Sequence, residues 1–511
     1  MQQIINERLE IFVRKCSQRE GLFNPSFSTY NLAAMKPVHF SDSAAQTYQQ
    51  TRIAHWDTIA RKRDSWRGMG SWYHRRLHEI YRFHVSPNQS ILELGCAEGQ
   101  LLAALRPTRG VGIDFSYEMI CRAKERYPEL EFIHADVHDL SELDEKFDVI
   151  ILSDLVNDLW DVQRVFEQLK RICMPHTRIM LNFYSRLWQF PLGLARKINL
   201  ASPNLYQNWL TREDIDGLLR LANFETIRMT QEILWPLPLG GFANRFLVRL
   251  WPFYGLAFSN LVIARPAPQR AEEPSVSVIV PARNESGNIK AIFERTPRMG
   301  RETELVFVEG HSKDDTYAAV EREIAVNPSM PSQLFRQTGI GKADAVRLGF
   351  AKARGEVLMI LDADLTVPPE DLPRFYEALV SGKGEFINGV RLVYPMEKEA
   401  MRTLNFLGNK FFSIAFSWLL GQPIKDTLCG TKVLWKRDYE LIAANRSYFG
   451  DFDPFGDYDL IFGAAKLNRK ILDLPIRYRE RTYGSTNISR WKHGLLLLRM
   501  VAFAARRIKF V

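Results

Sequence analysis

Cysteine is scarce in this 511-residue chain: Cys16, Cys96, Cys121, Cys173 and Cys429 are scattered, with no CxxC pair among them. That excludes a disulfide framework and a zinc site built on paired thiolates, and it predicts a reducing compartment. No uninterrupted apolar run of about 18 residues occurs, so a conventional membrane span is not expected. The opening residues MQQIINERLE are too charged for a signal peptide, and a cytoplasmic protein is the expectation. Internal repeats and low-complexity tracts are also missing. What remains is a globular composition, 46% hydrophobic and 25% charged. At about 150 residues per domain, the length predicts roughly three folding units.

The net charge of +9 is concentrated at one end. Residues 470–511 hold ten Lys or Arg against only Asp473 and Glu480. The same stretch carries Leu495–Leu498 and the run Met500 to Ala505. Basic and apolar residues on one short helix predict a segment lying on an anionic membrane surface, not a nucleic-acid arm. The plainer alternative is a C-terminal helix packed on its own domain. Phe406 to Leu420 is a second apolar stretch, with Asn409, Ser413 and Ser417 forming a narrow polar stripe at four-residue spacing. Its wide apolar face needs a cover of protein or lipid.

The Pro-rich polar stretch Arg265 to Pro274 divides the chain. On each side, strand-like runs alternate with helical periodicity, which predicts two α/β domains with doubly wound sheets. The expected organisation is an extension (1–45), a first domain (46–265), a linker (266–274), a second domain (275–490) and a basic amphipathic segment (491–511).

In the first domain, Ile91-Leu-Glu93-Leu-Gly95-Cys-Ala97-Glu-Gly99-Gln100 puts a Gly-rich turn directly between a strand and a helix. Such a turn lets the backbone approach a ligand at the C-terminal edge of a parallel sheet. Asp114 ends the next strand, Asp136-Val137 the third, and Ser153-Asp154 the fourth. This order resembles the class I S-adenosylmethionine-dependent methyltransferases, and it implies a Rossmann-like fold. The resemblance makes Glu93, Gly95, Ala97, Gly99, Asp114, Asp136, Val137 and Ser153 the expected S-adenosylmethionine contacts. Ala97 stands where the family has its middle glycine. The family pattern also implies a late antiparallel strand pair, matched by Phe224–Thr230 and Phe258–Arg265. An NAD-binding Rossmann domain is the rival, but it prefers GxGxxG. Asp154, Asn157 and Asp158 are the candidates for activating a methyl acceptor, while His134 and His138 read as structural.

In the second domain, a buried strand runs from Val276 into the polar loop Pro281-Ala282-Arg-Asn284-Glu285. Another ends at Glu309, Gly339-Ile-Gly-Lys342 opens a helix, and Met359-Ile-Leu-Asp362-Ala-Asp364 ends a strand in two carboxylates. Hard oxygen ligands there suit a metal diphosphate. The series resembles the family 2 glycosyltransferases of GT-A fold, and among them the polyprenyl-phosphate sugar synthases. That likeness implies a nucleotide-sugar donor bordered by Pro281, Ala282, Asn284, Glu285, Glu309 and Lys342, and Mg²⁺ or Mn²⁺ at Asp362 and Asp364. It implies Arg391 and Arg402 on an acceptor phosphate, a task suited to a guanidinium fork. Cys429, Thr431 and Lys432 depart from the family's Asp-x-x-Ser-Gly-Phe-Arg. Asp457 and Asp459 stand where relatives using hydroxyl acceptors carry a base, and they equally suit a helix cap.

The expectation is a bifunctional enzyme, peripheral on the inner face of the cell membrane. It transfers a sugar with inversion to a polyprenyl phosphate or a glycan, and it methylates a further acceptor, in cell-surface glycan or glycolipid synthesis. The rival is a glycosyltransferase with a soluble hydroxyl acceptor and an inactive methyltransferase-like scaffold. The oligomeric state is open.

Overall fold

Runs such as Val276-Ser-Val-Ile-Val are apolar on both faces, and strands of that kind are stable only when helices cover the sheet from both sides. The computed structural model bears this out twice. It describes residues 43–62, 70–197, 205–391, 393, 403–446, 457–477 and 490–510. Among these, strands assemble into two seven-stranded sheets.

The first sheet comprises β1 (Ser90–Leu94), β2 (Arg109–Asp114), β3 (Glu131–His134), β4 (Phe147–Ser153), β5 (Cys173–Tyr184), β6 (Phe224–Ile233) and β7 (Ser259–Pro266). Their spatial order is β3-β2-β1-β4-β5-β7-β6. All neighbours are parallel except β7, which runs antiparallel to both β5 and β6. The second sheet comprises β8 (Val276–Ala282), β9 (Thr303–Glu309), β10 (Ser332–Arg336), β11 (Val357–Ile360), β12 (Phe386–Val390), β13 (Lys432–Trp435) and β14 (Ile471–Pro475). Its order is β10-β9-β8-β11-β13-β12-β14, with β13 antiparallel to its neighbours. The strand order reverses beside β1 in one sheet and beside β8 in the other. Clefts for ligands form at the carboxyl ends of strands at such switch points.

The stretch 266–274 is not a loose tether. Ala267 N–H donates to Asn223 O just before β6, and Ala271 N–H to Val380 O at the end of the helix Leu372–Val380, so it is pinned to both domains. Beside it runs a buried polar seam. Arg178 of β5 donates through Nη2 to both oxygens of Glu385 at 2.7 Å, and through Nε to Asn468 O at 2.8 Å. Arg228 of β6 reaches Asn468 Oδ1 at 2.8 Å and His84 Nδ1 at 2.6 Å. Lys466 donates to Phe83 O and lies 3.7 Å over the Phe83 ring.

The helix Thr403–Leu420 turns its polar stripe inward, opposite to the simplest amphipathic reading. Asn409 bonds Asp426, and Ser413 and Ser417 both donate to Ile424 O. Phe412, Phe416, Leu419 and Leu420 are buried, whereas Phe411, Ile414 and Trp418 face outward. The C-terminal helix Arg490–Ala504 packs against it through Leu497, Met500 and Ala504, leaving Leu495 and Leu498 exposed. Among the described residues, no helix is long and apolar enough to cross a membrane.

Candidate functional sites at the two switch points

Left-handed backbone is costly for residues with a Cβ, and it concentrates where a site must be shaped. Among the described residues, half of the non-glycine positions with positive φ lie at the two predicted clefts: Ala97 and Asp154 in the first, Asn284, His311 and Leu365 in the second.

In the first cleft, β1 runs into Gly95 (φ 69°), Ala97 (φ 47°) and Gly99 (φ 73°). The glycines are required by what lies beneath them: a Cβ at 95 would strike Leu155, and one at 99 the Phe132 ring. Ala97 takes a glycine-like conformation, and its N–H donates to Asp114 Oδ2 at 2.9 Å, which helps hold the strained turn. Asp114 Oδ1 accepts from Ser116 N–H at 2.8 Å. Each oxygen keeps a further lone pair, so the carboxylate at the end of β2 retains the chemistry to accept ribose hydroxyls. Burial lifts Asp114 to about 6, against the pull of the two N–H donors. Glu93, deeper in the sheet, accepts from Leu102 N–H at 3.0 Å, and burial lifts it to about 8.

Asp136 is already well occupied. It accepts from His138 N–H at 2.8 Å, meets His138 Nδ1 at 2.6 Å and accepts from Gln49. Val137 is buried beside it, and Ser153 ends β4. The helix Ser43–Lys62, which sequence reasoning left almost wholly outside the site, crosses this edge. Arg52 pairs with Asp158 at 2.8 Å, Trp56 Nε1 donates to Asp158 at 2.9 Å, and Ser116 Oγ donates to Asp57 at 2.5 Å. A polar stripe at 49, 52, 56 and 57 was the available signal. Of the three candidate acceptor-activating residues, Asp158 is thus a docking point and Asn157 is wholly buried, bonded to Asn208 O. Asp154 differs. Tyr73 donates to it at 2.6 Å and Asn182 also bonds it, while burial raises it to about 6.

In the second cleft, the loops after β8 and β9 are stitched together. Asn284 N–H donates to Ser312 Oγ at 3.0 Å, and Asn284 Oδ1 accepts from Lys313 N–H at 2.7 Å. Glu285 N–H donates to Thr316 Oγ1, and Glu309 at the end of β9 accepts from Ser312 N–H. Pro281 and Ala282 complete β8. Lys342 opens the helix Lys342–Lys352 after Gly341 (φ 94°) and pairs with Asp362 at 2.5 Å. Burial alone would raise Asp362, but Lys342, Lys432 and Arg391 together outweigh it and hold the carboxyl below its ordinary value. Asp364 Oδ1 accepts from Thr366 Oγ1 at 2.8 Å and from its N–H at 3.1 Å.

The two carboxylates are therefore not equivalent. Asp362 answers a lysine, and Asp364 is the better-suited hard-oxygen ligand of the two. Among the described residues, no group of three or more His, Cys, Asp or Glu is placed to hold a metal by itself. A single carboxylate fits an ion whose remaining ligands come from a diphosphate and water. Gly430, which no local pattern marks, closes the site: a Cβ there would press into the Asp362 carboxylate and the Lys342 ammonium.

Arg391 forms a fork with wholly buried Asp426, Nε to Oδ2 at 2.7 Å and Nη2 to Oδ1 at 2.9 Å. Burial raises Asp426, but Arg391 and Asn409 overcome it and bring the group to about 2. Asp459 is buried between Arg347 at 3.0 Å and Arg446 at 3.6 Å. Asp457 begins the helix Asp457–Lys466, and its side chain lies outside the described residues, as does all of Arg402.

Comparison with known proteins finds a match in each half of the chain. Residues 277–439 match the profile of glycosyl transferase family 2, and residues 91–176 that of a methyltransferase domain. The dolichol-phosphate mannosyltransferase of Saccharomyces cerevisiae is 38% identical over 108 residues, 20% of this chain and 40% of that protein. The undecaprenyl-phosphate 4-deoxy-4-formamido-L-arabinose transferase of Edwardsiella ictaluri is 35% identical over 233 residues, 44% of this chain and 64% of that protein. The chain thus spans less than two thirds of either relative. A solved S-adenosylmethionine-dependent methyltransferase from Mesorhizobium loti, 18% identical, covers 37% of this chain and 96% of its own, with a TM-score of 0.31. With two profile matches on two separate sheets, the chain joins a methyltransferase domain to a family 2 glycosyltransferase domain.

Proposed function

We propose that the chain is a bifunctional transferase, moving a sugar from a nucleotide donor to a polyprenyl phosphate and a methyl group from S-adenosylmethionine to a second acceptor. The observation carrying the first activity is the Lys342–Asp362 pair beside Asp364 at the β8 and β11 ends. The nearby relatives are named as dolichol-phosphate and undecaprenyl-phosphate sugar transferases. Pro281, Ala282, Asn284 and Glu285 border the nucleotide, Glu309 meets its base, and Lys342 with Asp362 orients it. Asp364 would hold Mg²⁺ or Mn²⁺, which would supply positive charge to a departing diphosphate. A single displacement inverts the sugar carbon.

The setting of Asp459 supports one acceptor class over the other. Asp459 is engaged by Arg347 and Arg446, and a phosphate acceptor needs no base because it is already ionised. That supports the lipid phosphate over a sugar hydroxyl, with Arg402 as its guanidinium partner and Arg391, whose fork engages Asp426, sharing its charge with the acceptor. In the methyl half, Gly95 to Gly99, Asp114 and the Asp136-Val137 edge hold the cofactor, whose sulfonium supplies the methyl group. Asp154, poised near 6, takes the acceptor proton when the acceptor is a hydroxyl. An inactive scaffold is disfavoured because Ala97 keeps the turn in the glycine-like conformation. The basic tail and the outward side chains of Thr403–Leu420 support a peripheral position on an anionic membrane, at the inner face of the cell membrane.

The test is incubation with a panel of nucleotide sugars and a lipid extract. Asp364→Asn should abolish metal-dependent transfer and leave S-adenosylmethionine affinity unchanged. Full transferase activity in that variant at saturating donor would overturn the sugar-site assignment, and absence of saturable S-adenosylmethionine binding would restore the scaffold reading.

A further inference from the structure

Two surface segments flank the methyltransferase sheet. One is Arg186 to Lys197 after β5, ending in the helix Gln189–Lys197, and the other is the connection 233–258 between β6 and β7. Their outward side chains are large and apolar: Phe190 is 85% exposed, Leu239 98% and Trp251 80%. With 403–420 and 490–510, these segments supply eighteen of the 27 exposed large apolar side chains among the described residues. The same four segments contain no Asp or Glu, in a chain that holds 59, and they carry twelve Lys or Arg. Glu232, just before the second segment, is taken up by Arg249. Apolar side chains set among cations, on segments that hold no acid of their own, are complementary to one partner above others, a bilayer with anionic headgroups.

The four segments are joined by contact. Trp188 Nε1 donates to Leu256 O at 2.9 Å, linking the two insertions. Phe246 meets Phe510 with ring centroids 5.3 Å apart, and Arg245 donates to Phe510 O at 2.7 Å. Phe510 in turn meets Trp418 of the helix Thr403–Leu420 at 5.7 Å. Exposed Arg245, Arg499, Arg506 and Arg507 accompany this line. On the other side, Trp188 touches Phe258, Phe258 touches Tyr73, and Tyr73 bonds Asp154. The insertions thus lead from the C-terminal segment to the edge of the methyl cleft.

We propose that the methyltransferase half has its own bilayer-contact surface, formed by 186–197 and 233–258 and continuous with the C-terminal segment, so that its acceptor is met at the lipid surface. This rests on the peripheral-membrane reading above, and the test separates the two. The full chain is sedimented at low salt with vesicles of phosphatidylcholine and phosphatidylglycerol. Phe190→Glu/Leu239→Glu/Trp251→Glu should weaken binding about tenfold or more, since each removes buried apolar area from the interface. Arg506→Glu/Arg507→Glu should also weaken it. If the tail variant is released while the triple variant binds as wild type, the inference falls and the tail reading stands. If wild type ignores the vesicles, both fall, and a dimer that the triple variant splits would assign the face to a second copy. Quenching of tryptophan emission by brominated lipid, reduced in Trp251→Phe, gives a readout from a variant that perturbs folding least; equal quenching in both would count against the proposal.

Discussion

Gly430→Ala isolates the geometry of the sugar site from its chemistry. Glycine is not needed there for its backbone, because Gly430 has no positive φ. It is needed for space: an added methyl would stand roughly 1 Å inside the closest approach that side chains make to the Asp362 carboxylate, and it would also crowd Lys342. The lysine can swing away on its long stem. Asp362 is short and fixed just beyond β11, so the carboxylate must turn or the loop before β13 must retreat. A displacement of about 1 Å at a positioning group costs on the order of 10²-fold in rate. The stability cost should be about 1–3 kcal/mol, the usual cost of overpacking a filled site. The assay is sugar transfer at saturating donor, with S-adenosylmethionine calorimetry and thermal unfolding as controls. Wild-type turnover in the alanine variant would refute the view that Lys342 and Asp362 must be held in contact at the donor.

Asp114→Ala should weaken S-adenosylmethionine binding by about 1.5–3 kcal/mol in calorimetry, because it removes charged acceptors and also frees the N–H groups of Ala97 and Ser116. Lys466 is lowered by burial, and then by Arg228, to about 7. Its folded value lies below the unfolded 10.5, so the unfolded chain binds the extra proton and this group makes stability rise with pH between about 7 and 10.5. Lys466→Met should flatten that slope, at most about 1.4 kcal/mol per pH unit, in urea unfolding followed across the window. Glu385→Ala should cost about 3–5 kcal/mol by stranding Arg178 and its neighbours. Burial raises Glu385, but Arg178, Arg469 and Arg265 overcome it and bring the group to about 2. Its contribution should therefore hold above pH 4.5 and disappear as the pH falls toward 2.

Strands were legible wherever both faces are buried, because a continuous apolar run such as Val357–Leu361 admits few other readings. The turns at Gly95–Gly99 and Asp362–Asp364 were legible because they follow such strands directly. Less visible were β12 to β14, whose short runs contain Gly389, Lys432 and Asp473; tertiary pairing, not local pattern, makes them strands. The polar stripe of Thr403–Leu420 could be seen, but not its direction, since inward polar groups require partners at Ile424 and Asp426 that periodicity does not reveal. Contacts across hundreds of residues, such as Arg178 to Glu385 or Tyr73 to Asp154, leave no local trace.

The seam formed by Arg178, Glu385, Arg228, Asn468 and Lys466 has a consequence for how the molecule can be taken apart. Cutting the chain near Pro274 would break the bonds that join Arg178 to Glu385, Arg228 to Asn468 and Lys466 to Phe83 across the two halves. The severed pieces would carry ion-pair partners into water beside uncovered apolar surface, so each should be less soluble and less stable than the whole. A calorimetric scan of the intact chain should accordingly show the two catalytic halves melting in one transition, as a pair that behaves thermodynamically like a single domain.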